Sequence, residues 1–138
     1  MNKETMDMLV RAAVEAREKS YCPYSHFAVG AALLSSDGTV TTGANIESSS
    51  YTPTVCAERV AFFTAVHAGK RNFVGIAIVG GKEGEALTSH TPPCGVCRQV
   101  MAEFCTPDFP VVLFDGKNTR TLTLGELLPE SFGKENLA

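Results

Sequence analysis

Residues 73–79 constrain the fold more than any other part of the chain, because this segment is almost continuously apolar. A short apolar run bounded by polar residues is typical of a strand that is buried on both faces of a sheet. The run is far too short to cross a bilayer. We therefore expect layers of structure on both faces of a sheet that contains this strand.

The patterns on either side of the strand predict those layers. Apolar residues recur at helical spacing over residues 4–19, and Pro23 lies beyond their end. Two further helices are predicted, from residue 55 or 56 to 68 and from residue 94 or 95 to 105. The remaining strands are predicted at residues 29–35, 39–46, 111–114 and 119–124. The order α-β-β-α-β-α-β-β indicates an α/β fold with helices packed on the two faces of a sheet.

Size and charge narrow the function. The chain has 138 residues, 44% of them hydrophobic and 20% charged, which predicts a single domain over residues 1–138. The net charge of −3 argues against a dedicated nucleic-acid-binding protein. The first residues lack the charged and then apolar pattern of a signal peptide. We expect a cytoplasmic protein that binds neither nucleic acid nor membrane.

The five cysteines are the first indication of chemistry. An odd number in a chain without a secretion signal favours metal binding or catalysis over a disulfide framework. Cys56 lies where a polar loop becomes a predicted helix, and Cys94 and Cys97 form a Cys-x-x-Cys pair at the start of the next helix. The free N–H groups and the dipole of a helix start stabilise a thiolate. These thiols predict a metal site with three protein ligands and an open position for water, as in catalytic zinc sites.

Glu58 is predicted to supply the acid–base group. It follows Cys56 by two residues, and two helical steps turn a side chain through roughly 200°. Both residues can therefore face one site only if Cys56 lies in the helix cap, outside the regular helix. A carboxylate beside a metal site can take a proton from water and pass it on.

Arg59 is predicted to adjust the charge of the same site. It lies three residues after Cys56, on the same helical face. Three thiolates give a zinc site a net negative charge and make the metal a poorer Lewis acid. A hydrogen bond from Arg59 to a thiolate would draw electron density from the sulfur. Arg98, next to Cys97, is a weaker candidate for this role.

Five short segments extend these motifs over most of the chain. They are residues 24–33, 43–47, 56–59, 94–99 and 127–132, which read YSHFAVGAAL, GANIE, CAER, CGVCRQ and LLPESF. A Cys or His with Glu two residues on, followed by Pro-Cys-x-x-Cys, is the zinc deaminase pattern. The chain resembles the small, homotetrameric cytidine deaminases over essentially its whole length. The resemblance implies a three-layer α/β/α fold with a five-stranded mixed sheet.

The resemblance also implies an activity and a cofactor. One Zn²⁺ per chain would be held by Cys56, Cys94 and Cys97. The implied reaction is the hydrolytic deamination of cytidine and 2′-deoxycytidine to uridine and 2′-deoxyuridine with release of ammonia, a step of pyrimidine salvage. In the implied mechanism Glu58 protonates ring nitrogen 3 and carries a proton to the departing amino group.

Four further residues correspond to substrate contacts in the resembling family. Asn45 and Glu47 match the pair that binds the ribose 3′-hydroxyl. Phe27 matches the ring that stacks near the base, and the main chain of Ala57 matches the group that reads the pyrimidine edge. Without the resemblance, a turn-forming Asn and a solvated Glu would be the default interpretation of the first pair.

Tyr51 and Phe132 match aromatic residues that lie near active sites across subunit boundaries. The resemblance therefore implies a homotetramer with shared active sites, in which an isolated monomer has an incomplete pocket. Two positions depart from the family's usual pattern. Pro92 stands where Ser is usual, and Ser48 stands where Asn is common.

Three other functions compete with a cytidine deaminase. A deaminase of blasticidin-type nucleoside antibiotics is the nearest alternative, although the Asn45-x-Glu47 pair and the Cys-Ala-Glu-Arg segment favour the nucleoside. Editing of bases in nucleic acid conflicts with the acidic charge balance. A structural zinc site would normally have a fourth Cys or His, and it would leave Glu58 unexplained.

The remaining cysteines and the histidines have simpler interpretations. Cys22 and Cys105 are predicted to be buried free thiols. The histidines are predicted to lie on the surface or in loops rather than on zinc, because three cysteines already fill the protein positions. These histidines are His26, His67 and His90.

Overall fold

The predicted order of helices and strands is confirmed in a computed structural model, which describes residues 1–138. The helices are α1 (Lys3–Arg17), α2 (Ala57–His67), α3 (Gly95–Phe104) and α4 (Leu124–Leu127), followed by a 3₁₀ turn at Lys134–Leu137. The strands are β1 (Phe27–Ser35), β2 (Val40–Ala44), β3 (Phe73–Lys82), β4 (Pro110–Phe114) and β5 (Thr119–Thr123). None of the helices combines the length and the apolar character that a membrane-spanning segment needs.

The strands form one mixed sheet in the order β2-β1-β3-β4-β5. β3 pairs antiparallel with β1 and parallel with β4, so that Ile76 lies beside Leu33 on one side and beside Val111 on the other. The two outer pairs, β1 with β2 and β4 with β5, are antiparallel. The strand predicted to be buried on both faces therefore lies in the middle of the sheet.

Helices cover both faces of the sheet, as the sequence predicts. Ile76 and Ile78 belong to a core cluster with α2 and α3, whereas Ala77 and Val79 belong to a second cluster with α1. Successive side chains of a strand point to opposite faces, so one strand can contribute to both clusters. The result is a three-layer α/β/α fold with a five-stranded mixed sheet.

β1 and β3 are longer than the sequence predicts. Phe27 pairs with Lys82, so β1 begins at residue 27 rather than 29 and β3 continues to residue 82 rather than 79. The prediction stops early because Gly80 and the glycine after it interrupt the apolar pattern. Gly80 is needed for a close approach, since a Cβ there would lie 2.7 Å from Oγ1 of Thr91.

Arg17, the last residue of α1, is a buried charged side chain with 8% exposure. Its guanidinium donates hydrogen bonds to the carbonyl oxygens of Ala28 (3.1 Å), Lys82 (2.6 Å) and Glu85 (3.0 Å). The residue therefore ties α1 to the start of β1 and to the end of β3. The helix also approaches β1 closely at Gly30, where a Cβ would lie 2.0 Å from the backbone of α1.

Two isolated pairings bring three loop segments side by side. Tyr21 pairs with Ile46 in parallel, and Ile46 pairs with Val55 in antiparallel orientation. The loop that leads to Phe27 and the segment that follows β2 are thereby placed next to the residue before Cys56. The segments that lead to Phe27, contain Asn45 and Glu47, and lead to Cys56 consequently lie side by side.

Candidate metal and active site

Three cysteine sulfurs converge at the starts of α2 and α3. The Sγ atoms of Cys56, Cys94 and Cys97 all lie within 4.8 Å of one another, and those of Cys56 and Cys94 are 3.7 Å apart. Cys97 is buried, Cys56 is half-buried and Cys94 is exposed. The three thiols that were predicted from the sequence to share one metal site are therefore close enough to hold one metal ion.

The helix starts explain this convergence. Cys56 is the N-cap of α2 and Cys94 is the N-cap of α3, and both have extended backbone. Cys56 thus lies outside the regular helix, as it must if Cys56 and Glu58 are to face one site. The first N–H groups of each helix lack intrahelical partners, and the dipole is positive there. Both helices consequently favour negative charge on the sulfurs.

Hydrogen bonds within the cluster favour a thiolate on Cys56. The Cys97 thiol and Arg59 hydrogen-bond to the Cys56 sulfur and lower the pKa of Cys56 well below its ordinary value. The Arg59 contact runs from Nη2 to Sγ over 3.3 Å. The contact with Cys56 raises the pKa of Cys97, which keeps the proton. Arg59 therefore lies where the sequence predicts a charge-balancing donor.

Glu58 is buried beside these thiols. Glu58 is 4% exposed, and its Oε1 has no hydrogen-bond partner. Burial raises the pKa of Glu58 to about 7, and the charges of Cys56 and Arg59 also act on it. A buried carboxyl oxygen without a partner is rare in a protein interior. A carboxyl group with a pKa near neutrality can both accept and release a proton.

The donor set fits zinc. Thiolate sulfur is a preferred ligand of Zn²⁺, and sites with three protein ligands leave a position for water or substrate. The unpartnered oxygen of Glu58 adds a proton acceptor next to the same cluster. The residues present therefore suit a catalytic zinc site better than a structural one.

Arg98 acts on the backbone and does not bond to a sulfur. Its Nε donates to the carbonyl oxygen of Pro93 over 2.7 Å, and its Nη1 donates to that of Leu127 over 2.6 Å. These bonds tie the loop before Cys94 to the end of α4. Of the two arginines considered from the sequence, Arg59 is the one that contacts a thiol.

Asn45 is buried next to the start of β1, with 8% exposure. Its Oδ1 accepts hydrogen bonds from the backbone N–H of Val29 (2.8 Å) and from Oγ of Ser20 (2.5 Å), while its Nδ2 donates to the carbonyl oxygen of Phe27 (2.8 Å). An amide nitrogen carries two N–H donors, so one remains available. If Asn45 contacts the ribose as predicted, it does so by donating a hydrogen bond from Nδ2, because its Oδ1 already accepts two.

Glu47 is held by the loop that precedes Phe27. Its Oε1 accepts from the backbone N–H groups of Tyr24 (3.0 Å) and Ser25 (3.1 Å), and its Oε2 accepts from Oγ of Ser25. The hydrogen bond from the Ser25 hydroxyl is the largest of several that lower the pKa of Glu47. Ser25 Oγ also accepts from the backbone N–H of Phe27 over 3.0 Å. Ser25 and Asn45 therefore hold the backbone of Phe27 from both sides.

The three predicted aromatic contacts are exposed in a single chain. Phe27 is 40% exposed, Phe132 is 60% exposed and Tyr51 is 72% exposed. Tyr51 has a φ of 63°, which is uncommon for a bulky residue, and its ring meets that of Tyr24 edge-on at 6.2 Å. The carbonyl oxygen of Phe132 accepts a hydrogen bond from Nε2 of Gln99 (2.9 Å). The roles assigned to these aromatic residues stay predictions.

Ala57 is the first residue of α2 and is fully buried. Its carbonyl oxygen faces β2, because a Cβ at Gly43 would lie 2.4 Å from that oxygen. The N–H of a first helical residue has no intrahelical partner. The N–H is thus the main-chain group of Ala57 that is left for a ligand.

The other cysteines and the histidines lie outside the thiol cluster. Cys22 is buried, as predicted, whereas Cys105 is half-buried. Desolvation raises the pKa of Cys105 to about 12, so its thiol is inert at neutral pH. His90 Nε2 lies 3.1 Å from the carbonyl oxygen of Asn118 and joins two loops.

Sequence reasoning missed two residues that shape the site. Ser25 contacts both Glu47 and Phe27. It lies within the segment 24–33 that carries the resemblance, but a serine in a loop does not by itself show what it will contact. Arg17 does carry a signal, because the helical spacing places a charged residue on the apolar face of α1. A charged side chain at such a position indicates a buried hydrogen-bond network.

Comparison with known proteins agrees with this geometry. Residues 3–113 match the family described as "Cytidine and deoxycytidylate deaminase zinc-binding region". A cytidine deaminase of Sporosarcina psychrophila is 48% identical over 134 residues, which are 96% of this chain and 95% of the relative. The crystal structure of cytidine deaminase from Burkholderia pseudomallei has a TM-score of 0.84 and 44% identity, and the match covers 96% of this chain and 100% of that one. A blasticidin-S deaminase of Bacillus cereus is 32% identical over 124 residues, 88% of this chain and 87% of the relative.

The fold and the thiol cluster together define a zinc-binding protein of the deaminase class. The family match includes Cys56, Cys94 and Cys97 within its residues. The chain belongs to the cytidine and deoxycytidylate deaminase family. Zinc is accordingly its cofactor, in agreement with the donor set.

Proposed function

We propose that the chain catalyses the hydrolytic deamination of cytidine and 2′-deoxycytidine to uridine and 2′-deoxyuridine, with release of ammonia. One observation carries the proposal: the buried carboxyl group of Glu58 has a free oxygen and lies beside three converging thiols. Removal of an amino group from a pyrimidine by water needs an acid–base group next to a metal site. Cytidine deaminases at up to 48% identity over nearly the whole chain support the substrate.

Cys56, Cys94 and Cys97 are proposed to hold one Zn²⁺ per chain. When bound by three protein ligands, zinc lowers the pKa of a water molecule and acts as a Lewis acid. The chain's own contribution is to stabilise the negative charge that the sulfurs carry as zinc ligands. The two helix starts and Arg59 serve this purpose, because each stabilises negative charge on sulfur.

Glu58 is proposed to move the protons of the reaction. Its carboxylate accepts a proton from the attacking water and donates a proton to ring nitrogen 3 of the cytosine. It then takes the second proton of that water, from the hydroxyl group now bonded to carbon 4, and passes it to the amino group. The bond between carbon 4 and the amino nitrogen breaks, and ammonia leaves as a neutral molecule while uridine keeps the oxygen. The raised pKa of Glu58, about 7, supports this role because proton transfer is most efficient when the pKa lies near the working pH.

The contacts to the nucleoside are proposed from residues around the Tyr21–Ile46–Val55 pairings. The free N–H of Asn45 would donate to the ribose 3′-hydroxyl, and Glu47 would accept from it. Phe27 would stack near the base, and the main-chain N–H of Ala57 would bind the pyrimidine edge.

The homotetramer predicted from the resemblance remains a proposal. It is supported by the large exposed fractions of the Phe132 and Tyr51 side chains in a lone chain. Phe63 on α2 is also 48% exposed, whereas the adjacent Phe62 is fully buried. In the tetramer these side chains would complete neighbouring active sites and subunit contacts.

The two core clusters share one sheet, which supports the proposal of a single domain over residues 1–138.

The free thiols support a cytoplasmic location, which is likewise proposed, because thiol ligands persist where cysteines stay reduced. The blasticidin-type alternative is less well supported. The blasticidin-S deaminase is 32% identical to the chain, against 48% for the cytidine deaminase of S. psychrophila.

The proposal is tested by following the loss of ultraviolet absorbance when cytidine is added, with the zinc content measured on the same sample. Glu58→Gln keeps the size of the side chain but cannot relay a proton. Because acid–base groups contribute about 10²–10⁴ in rate, and Glu58 would act at several steps, we expect turnover to fall by about 10⁴ or more. Zinc content and nucleoside binding should change little.

Glu15→Gln is the matched control, since Glu15 is exposed on α1 and forms no ion pair. It should retain full turnover. If Glu58→Gln kept more than about a tenth of the wild-type turnover, another group would be the base and Glu58 would have to be reassigned.

A further inference from the structure

We propose that Ser25 is a positioning residue for ribose recognition, which acts through the carboxylate of Glu47. The inference rests on the proposed function, in which Glu47 accepts a hydrogen bond from the ribose 3′-hydroxyl. Ser25 Oγ donates to Glu47 Oε2 and accepts from the backbone N–H of Phe27. One hydroxyl thus joins the proposed ribose contact to the proposed base contact.

Counting hydrogen bonds shows what Ser25 leaves for a ligand. A carboxylate offers about four acceptor positions, two on each oxygen. Oε1 of Glu47 accepts from the N–H groups of Tyr24 and Ser25, so both of its positions are filled. Oε2 accepts from Ser25 Oγ, which leaves about one position open. The carboxylate is thereby directed so that a single site accepts a further donor.

The orientation of the Glu47 carboxylate depends on these same donors. Glu47 forms no ion pair with a lysine or an arginine. All three of its hydrogen bonds come from the dipeptide Tyr24–Ser25. Hydrogen bonds to a carboxylate are stronger and more directional than neutral ones. The serine hydroxyl is the one side-chain donor among them, and it fixes the oxygen with the open position.

Glu47 and Ser25 also line a pocket at the surface of the chain. A cavity of about 230 Å³ is lined by Tyr24, Ser25, Glu47, Tyr51 and Thr54. Without the hydroxyl, Oε2 would have two open positions and would lose the only hydrogen bond that fixes it, while Oε1 would stay bonded to the N–H groups of Tyr24 and Ser25. The backbone N–H of Phe27 would lose its acceptor as well. Ribose binding should therefore weaken, while Glu58 and the thiol cluster remain untouched.

The experiment compares cytidine with 3′-deoxycytidine, which lacks the hydroxyl that Glu47 is proposed to bind. Steady-state kinetics are measured for the wild type, Ser25→Ala and Ser25→Thr, with zinc content and thermal unfolding recorded for each. Thr keeps the hydroxyl, and position 25 is exposed, so the added methyl group has space. Ser36→Ala is the matched control, because Ser36 is exposed at the β1–β2 turn.

For Ser25→Ala we expect kcat/KM on cytidine to fall about 10- to 100-fold, mainly through KM, since the lost contact positions the ground state and transition state alike. On 3′-deoxycytidine the loss should be about twofold or less, because there is no hydroxyl for Glu47 to bind. Ser25→Thr should restore most of the activity on cytidine. Ser36→Ala should match the wild type on both substrates, and the zinc content and melting temperature should stay unchanged.

Equal losses on the two substrates would overturn the inference, because Ser25 would then act through Phe27 or the fold rather than through Glu47. An unchanged kcat/KM for Ser25→Ala would overturn it too. If the wild type is active on cytidine and prefers the 3′-hydroxyl, these results leave the proposed function intact. A zinc-loaded wild type without activity on cytidine would overturn the proposed function and this inference together.

Discussion

Replacing Arg17 by methionine tests whether the buried guanidinium holds α1 against the sheet. Methionine keeps an unbranched side chain of similar reach but removes every donor. The carbonyl oxygens of Ala28, Lys82 and Glu85 then lose their hydrogen bonds. The bond to Ala28 is buried, whereas the other two are partly buried, so water can replace only the latter.

The size of the effect follows from this difference in burial. An unsatisfied buried acceptor costs about 1–3 kcal/mol, and each partly buried bond contributes about 0.5–1.5 kcal/mol. Relief of the cost of burying a charge offsets part of this sum. We expect the free energy of unfolding to fall by about 2–4 kcal/mol. For a chain of 138 residues this corresponds to a melting temperature lower by roughly 7–14 °C.

The assay is urea unfolding of the zinc-loaded protein at pH 7, followed by circular dichroism. Arg11→Met is the matched control, because Arg11 is an exposed residue of the same helix. It should change the free energy of unfolding by less than about 0.5 kcal/mol. Arg17→Lys should fall between the two, since one ammonium group cannot reach three separate carbonyls. A loss for Arg17→Met no larger than that for Arg11→Met would refute the argument.

Two further predictions concern packing and assembly. Gly43→Ala should lower the free energy of unfolding by about 1–3 kcal/mol and reduce the zinc content. The reason is that the new Cβ would lie 2.4 Å from the carbonyl oxygen of Ala57 and 2.6 Å from the backbone nitrogen of Ala61. An unchanged urea midpoint would contradict this prediction. Sedimentation equilibrium at assay concentration should give a mass near four times the 14.7 kDa of one chain. A fully active monomer would show that Tyr51 and Phe132 do not complete neighbouring active sites.

Local patterns were sufficient to predict the order of the elements and the central strand. Helical periodicity and the apolar run at residues 73–79 depend on neighbours in the sequence, so they are readable without the fold. The convergence of Cys56 with Cys94 and Cys97 was also predictable, because both segments combine a cysteine with a helix start. The cap conformation of Cys56 followed from its spacing to Glu58.

Contacts between distant residues were not predictable in this way. The hydrogen bond of Arg17 to Lys82 spans 65 positions. Helical spacing marks Arg17 as a charged residue on an apolar face, but it does not show which residue is the partner. The hydrogen bonds of Asn45 with Val29, Ser20 and Phe27 likewise depend on how β1 and β2 meet. Polar networks of this type are set by tertiary geometry, so the sequence shows the residue types without their partners.

The two strands at the margins of the sheet bear on how the protein avoids aggregation. β2 and β5 are only five residues long, and β5 carries Arg120 among exposed threonines. Edge strands that are short or carry a charged side chain make poor templates for the addition of a strand from another molecule. The edge strand β5 ends at Thr123, and α4 begins at the next residue. A continuous sheet between copies of this chain is therefore disfavoured, even at high concentration.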